Sequence, residues 1–80
     1  MEPYLGQIQL FPYNFEPSYW LLCDGRELKI NDFTSLFALI GTTFGGDGKS
    51  TFCIPKLDAI EIENNVKYYI AVNGVFPSRS

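Results

Sequence analysis

The sequence predicts a small α+β fold, a single domain over residues 1–80 built from short, mostly antiparallel strands with one helix of roughly three turns packed on the sheet. Three observations point there. One stretch alone, Phe33, Leu36, Phe37 and Ile40, spaces its apolar residues as a helical face. Several other short runs alternate or stay apolar between Gly, Pro and Asn punctuation, which is strand behaviour. Aromatic residues make up 16% of the chain, a bias toward strands. A chain of 80 residues is one domain at most. Domains of this size bury only about 60% of the surface that the unfolded chain exposes, so partner subunits commonly complete their stability.

The elements follow in order. Residues 5–11 place Gly6, Ile8 and Leu10 on one side and Gln7 and Gln9 on the other, a half-buried strand. Pro12 and Pro17 bracket an aromatic loop. Trp20-Leu21-Leu22-Cys23 is a short buried strand, and Asp24-Gly25 then reads as the two-residue turn of a hairpin, because both central positions of a type I′ turn need positive φ. Leu28 and Ile30 return on the second arm. The helix is expected over residues 32–40, with Asn31 as N-cap, Asp32 in the first turn and Gly41 ending it. Residues 42–50 form a glycine-rich loop, and residues 51–54 a strand that stops at Pro55.

A last hairpin is expected over residues 59–73, followed by a tail, residues 74–80. Val66, Tyr68, Ile70 and Val72 form the apolar side of its second strand. A three-residue loop ending at a left-handed Asn65 pairs Ile62 with Val66, Ile60 with Tyr68 and Glu61 with Lys67. A two-residue loop would mix apolar with charged partners on both faces.

Several function classes are excluded by composition. The net charge is −3 and the six basic residues are scattered, so no patch collects the phosphates of a nucleic acid. No run of about 18 apolar residues exists to span a membrane. The N-terminus lacks the basic and apolar regions of a secretory signal peptide, so any release from a cell is expected to be by lysis or another signal-independent route. The chain has no histidine, which removes the commonest general base and imidazole ligand. Gly48-Lys49-Ser50 resembles the end of a P-loop, but Thr43 stands where the motif requires its first glycine. Gly45, Gly46 and Gly48 instead suit positive φ or close backbone contact. Glu61 and Glu63 share a solvated strand face, and Asp24 and Asp47 are turn residues. No catalytic residue, cofactor or metal site is expected. Cys23 and Cys53 read as two buried thiols, with a disulfide between them as the alternative.

The run from Asn14 through Phe15, Pro17, Trp20 and Cys23 to Asp24-Gly25 resembles the opening of the phage tail collar domain. The resemblance resumes at Leu36-Phe37-Ala38-Leu39-Ile40-Gly41-Thr42-Thr43-Phe44-Gly45-Gly46-Asp47-Gly48 and closes on Thr51-Phe52-Cys53-Ile54-Pro55, covering about residues 5–57. Residues 69–80 are similar to the end of longer microcystin-dependent-type members. Lys56 stands where the family usually has Asp or Asn, and Leu57-Asp58-Ala59 replaces its L-R-G-R run. The long segment that family members carry before the last strand is missing, which moves the emphasis from receptor recognition to assembly.

The resemblance implies a structural role for Trp20, Asp24, Gly25, Gly41, Gly45, Gly46, Gly48 and Pro55. It implies a non-enzymatic subunit that assembles with copies of itself, as a closed trimer or an open filament, and with other tail or fibre proteins. Such a subunit is expected in a virion tail or extracellular fibre, and in the cytoplasm until release. The two chain ends could each add to a neighbour's sheet edge. Tyr4, Tyr13, Tyr19 and Phe76 are the candidate interface residues. The alternative is a surface-recognition module that stacks a glycan on the aromatics of residues 11–20.

Overall fold

The structure, a computed structural model, describes residues 2–13, 15–57 and 66–77. Five strands and one helix lie in the order β1 (Ile8–Phe11), β2 (Trp20–Leu22), β3 (Glu27–Lys29), a 3-10 turn (Ile30–Asp32), α1 (Thr34–Ile40), β4 (Thr51–Cys53) and β5 (Lys67–Ala71). They form two antiparallel sheets, β1-β5-β2 and β3-β4, so the fold is α+β and mostly sheet.

The central strand is β5. Its neighbours are set by register: Gln9 lies opposite Tyr69 on one side, and Leu21 opposite Ile70 on the other. Tyr69, Ile70 and Ala71 are buried in succession, so β5 is covered on both faces rather than on the single apolar side expected from Tyr68, Ile70 and Val72. One face, with Ile70 and Val72, joins Leu5, Cys23, Leu28, Leu36, Phe52 and Ile54 in the main core. The other face carries Tyr69 under the Phe11 ring, 5.6 Å away.

Asp24-Gly25 does not close a hairpin. β2 pairs with β5 and β3 pairs with β4, so the two arms enter different sheets. Only Gly25 of the pair has positive φ, where a type I′ turn needs both. The dipeptide is a crossover, stitched to the end of β4 by Gly25 N–H to the Pro55 carbonyl (3.1 Å) and Leu57 N–H to the Cys23 carbonyl (2.8 Å).

The helix is shorter than expected. Phe33, at φ −140° and ψ 50°, interrupts the chain between the 3-10 turn and α1, and no side chain caps either start. Asn31 and Asp32 therefore belong to the 3-10 turn. Gly41 ends α1 as expected, with its N–H on the Phe37 carbonyl. The 59–65 part of the expected last hairpin, with its three-residue loop and left-handed Asn65, lies outside the described residues. The register given for Val66 and Lys67 against it lies there too.

β1 also departs from expectation. Ile8 and Leu10 do share the core face with Ile70 and Leu21, but on this edge strand they are 41% and 38% exposed. The strand is thus exposed from Ile8 to Leu10 rather than half-buried.

Candidate assembly and recognition surface

The three-stranded sheet has two edges, β1 and β2, and they are built differently. Hydrogen bonds fix which backbone groups point outward. Cys23 N–H donates to the Tyr68 carbonyl and Val72 N–H to the Tyr19 carbonyl, so the even residues of β5 face β2. In an antiparallel pair the bonded and non-bonded positions alternate, so Trp20 and Leu22 turn their backbone groups away from β5. Both outward donors are satisfied by the preceding loop. Trp20 N–H donates to the Pro17 carbonyl at 3.0 Å, and Leu22 N–H to a Glu16 carboxylate oxygen at 2.7 Å.

Glu16 is held in place for this. Arg26 bridges it at 2.8 Å and Asp24 at 2.9 Å. The Arg26 side chain, donating to Asp24, draws the Asp24 carboxyl below its ordinary value, and the same contacts raise the Arg26 guanidinium. Asp24 was expected as a turn residue. Glu16 and Arg26 carried no local sequence signal, because the cap joins residues ten apart across a loop.

β4 is capped in the same manner by the glycine-rich loop. Cys53 N–H donates to the Gly45 carbonyl, and Gly48 N–H to the Thr51 carbonyl. One Asp47 carboxylate oxygen accepts the backbone N–H groups of Lys49, Ser50 and Thr51 at 2.8, 2.9 and 3.0 Å. Three donors hold that carboxyl far below its ordinary value. Gly46 runs so close to β4 that a Cβ there would overlap the Phe52 Cα and lie 2.7 Å from the Thr51 carbonyl oxygen. Gly25, Gly41, Gly45, Gly46 and Gly48 all have positive φ, and Pro55 is buried at the crossover.

The aromatics of this region stand as a ladder, exposed at Phe15 and Tyr13 and half-buried at Phe11 and Trp20. Phe15 stacks on Tyr13 (5.1 Å, 15°), Tyr13 on Phe11 (5.3 Å, 11°), and Trp20 meets Phe11 edge-on at 4.9 Å. The loop is tied down by Tyr69, whose hydroxyl donates to the Tyr13 carbonyl at 2.7 Å. Burial raises the Tyr69 phenol. Beside the ladder lies a groove of about 410 Å³ whose lining includes Tyr4, Gln7, Gln9, Phe11 and Trp20. Tyr19 stands apart with φ 77°, the left-handed region, at the third position of the Pro17-to-Trp20 turn. A type II turn needs positive φ at that position, and glycine or asparagine is its usual occupant.

The candidate interface residues are therefore scattered. Tyr4 lines the groove and Tyr13 is part of the ladder, both exposed, while Tyr19 is exposed apart from them at its turn. Phe76 is exposed beside Val75, and Tyr4 forms a parallel bridge with Val75. That bridge corrects the expectation for the chain ends. Leu5 N–H donates to the Val75 carbonyl and Val75 N–H to the Pro3 carbonyl, so these stretches pair with each other. Cys23 is a buried free thiol, whereas Cys53, expected to be buried, is half-buried; burial, helped by the Asp24 charge, pushes Cys23 up to about 11. Among the described residues no three His, Cys, Asp or Glu side chains gather as a metal site.

No curated protein and no solved structure matches the chain. The profile of the phage tail collar domain does match, over residues 6–61, a span that holds the Glu16–Asp24–Arg26 cap, the crossover and the Asp47 loop. This chain belongs to the phage tail collar domain family, a family of structural phage-tail components.

Proposed function

We propose that this domain is a non-enzymatic structural subunit that assembles with copies of itself within a tail or fibre, alongside other tail proteins. The observation that carries this reading is the exposed aromatic ladder. Phe15, at 60% exposed, and Tyr13 stack in a continuous apolar strip on the half-buried Phe11, with the Tyr13 carbonyl tied to the Tyr69 hydroxyl. Rigid, ordered aromatics are what subunit interfaces use, and a domain this small gains stability from covering them. Light scattering on the purified chain tests it. A mass that is a multiple of 9.1 kDa is expected, and a monomer at millimolar concentration contradicts self-assembly. Electron microscopy of the same sample separates a closed trimer from an open filament.

A second reading, glycan recognition on a surface, is supported by the groove and by Tyr19. A non-glycine residue in the left-handed region costs about 1–2 kcal/mol, and strain of this kind clusters where a side chain serves a ligand. Replacing Tyr13 and Tyr19 by Ala is then expected to abolish cell-surface binding and leave the oligomeric mass unchanged.

A further inference from the structure

We propose that β1 pairs antiparallel with β1 of a second copy, across a two-fold axis at Gln9. The inference rests on the self-assembly reading and names the edge that carries it. Ala71 N–H donates to the Gln7 carbonyl, so the odd residues of β1 bond inward to β5. Ile8 and Leu10 therefore turn their N–H and carbonyl groups outward, and no partner takes them among the described residues. β2 and β4 have their outward N–H donors taken by loops. β3 leaves the backbone of Glu27 and Lys29 facing out, and it guards that edge with the two charged side chains. β1 has no such guard: its sequence is Ile-Gln-Leu-Phe, without charge, bulge or proline within the strand.

The strand is complementary to itself. A two-fold axis at Gln9 sets Ile8 opposite Leu10 of the second copy, and Leu10 opposite its Ile8. These become hydrogen-bonded pairs, because both residues point outward. Their side chains then line up with the core face, where each lacks a neighbour on the outer side. On the opposite face Gln9 meets Gln9 at a non-hydrogen-bonded position, with Cα atoms about 4.5 Å apart, and Phe11 meets Gln7 at the two grooves. Like charges meet nowhere along the seam. The contact closes on itself, so β1 joins copies in pairs, and a trimer or filament requires a second contact such as the aromatic ladder.

Register-specific cross-linking tests this. The Cα spacing at Gln9 suits a disulfide, so oxidation of Gln9→Cys with diamide is expected to give a covalent dimer at least about 10-fold faster than the wild-type chain or Ile8→Cys. Ile8 would face Leu10 of the other copy, not Ile8. Leu10→Lys, exposed enough to fold, is expected to lower the oligomeric mass by half or more. An oligomer that persists in Leu10→Lys while Gln9→Cys cross-links no faster than Ile8→Cys overturns the β1 contact and leaves self-assembly standing. A wild-type monomer at millimolar concentration overturns both.

Discussion

The two edges of the β1-β5-β2 sheet are the same length of problem solved in opposite ways. At β2 the loop ahead of the strand folds back, and Pro17 and Glu16 take the outward amides of Trp20 and Leu22. At β1 the chain enters through Gly6, whose N–H donates to the Ala71 carbonyl while Ala71 N–H donates to the Gln7 carbonyl, and among the described residues no loop returns to cover Ile8 and Leu10. An edge strand left bare is a template for another chain, so one edge is closed to partners and the other is available. The chain ends, which pair with each other through Tyr4 and Val75, do not compete for that role among the described residues.

The largest expected effect breaks a capped edge. Gly46→Ala forces a Cβ into the Phe52 backbone at a position with φ 96°, so it should displace the loop that covers β4 and cost about 3 kcal/mol or more. A denaturant midpoint unchanged from wild type would show that the loop yields freely. Next is Glu16→Ala. It bares Leu22 N–H and removes one carboxylate from Arg26, at a cost of about 1–2 kcal/mol. It should also make β2 resemble β1, with a higher oligomeric mass as the visible consequence. Tyr19→Gly relieves the left-handed backbone beside that cap and should stabilise the chain by up to about 1 kcal/mol, less the packing that the ring supplies. A loss instead of a gain in melting temperature would mean the ring contributes more than the strain costs.

The caps also titrate, and β1 does not. Asp24 and Asp47 both have folded-state carboxyls below the ordinary value of 3.8. The unfolded chain therefore binds more protons, so their stabilisation is complete above 3.8 and is lost as the pH falls below it through the folded values. Melting temperatures between pH 5 and pH 2 should fall less steeply in Asp47→Asn than in wild type, as expected for a carboxylate that caps β4. The smallest effect on stability belongs to Ile8→Lys, within about 0.5 kcal/mol because the residue is a surface one, although it should weaken association.

How far the sequence spoke depends on how local each cause is. The glycine loop, Gly41 and Pro55 were legible because each answers a backbone requirement within a few residues. Asp24-Gly25 was misread as a hairpin for the same reason: the dipeptide signals a turn, while the pairing of β2 with β5 is decided some 50 residues away. The helix start failed because Phe33 breaks the run that Asn31 was expected to cap. Ile8 and Leu10 were assigned to the correct face, yet alternation says which way a side chain points and not whether the core reaches it. The Glu16 arm of the cap could not be read, since it reaches Leu22 and Arg26 across a loop, whereas Asp24 and Arg26 are only two residues apart.

Residue-resolved amide hydrogen exchange, at two protein concentrations, tests the difference between the edges most directly. In dilute solution the Trp20 and Leu22 amides should be protected and those of Ile8 and Leu10 should exchange freely. At high concentration Ile8 and Leu10 should become protected together, with Trp20 and Leu22 unchanged. Equal protection of all four amides in dilute solution, or free exchange at Ile8 and Leu10 in the assembled state, would contradict an open, partner-binding β1.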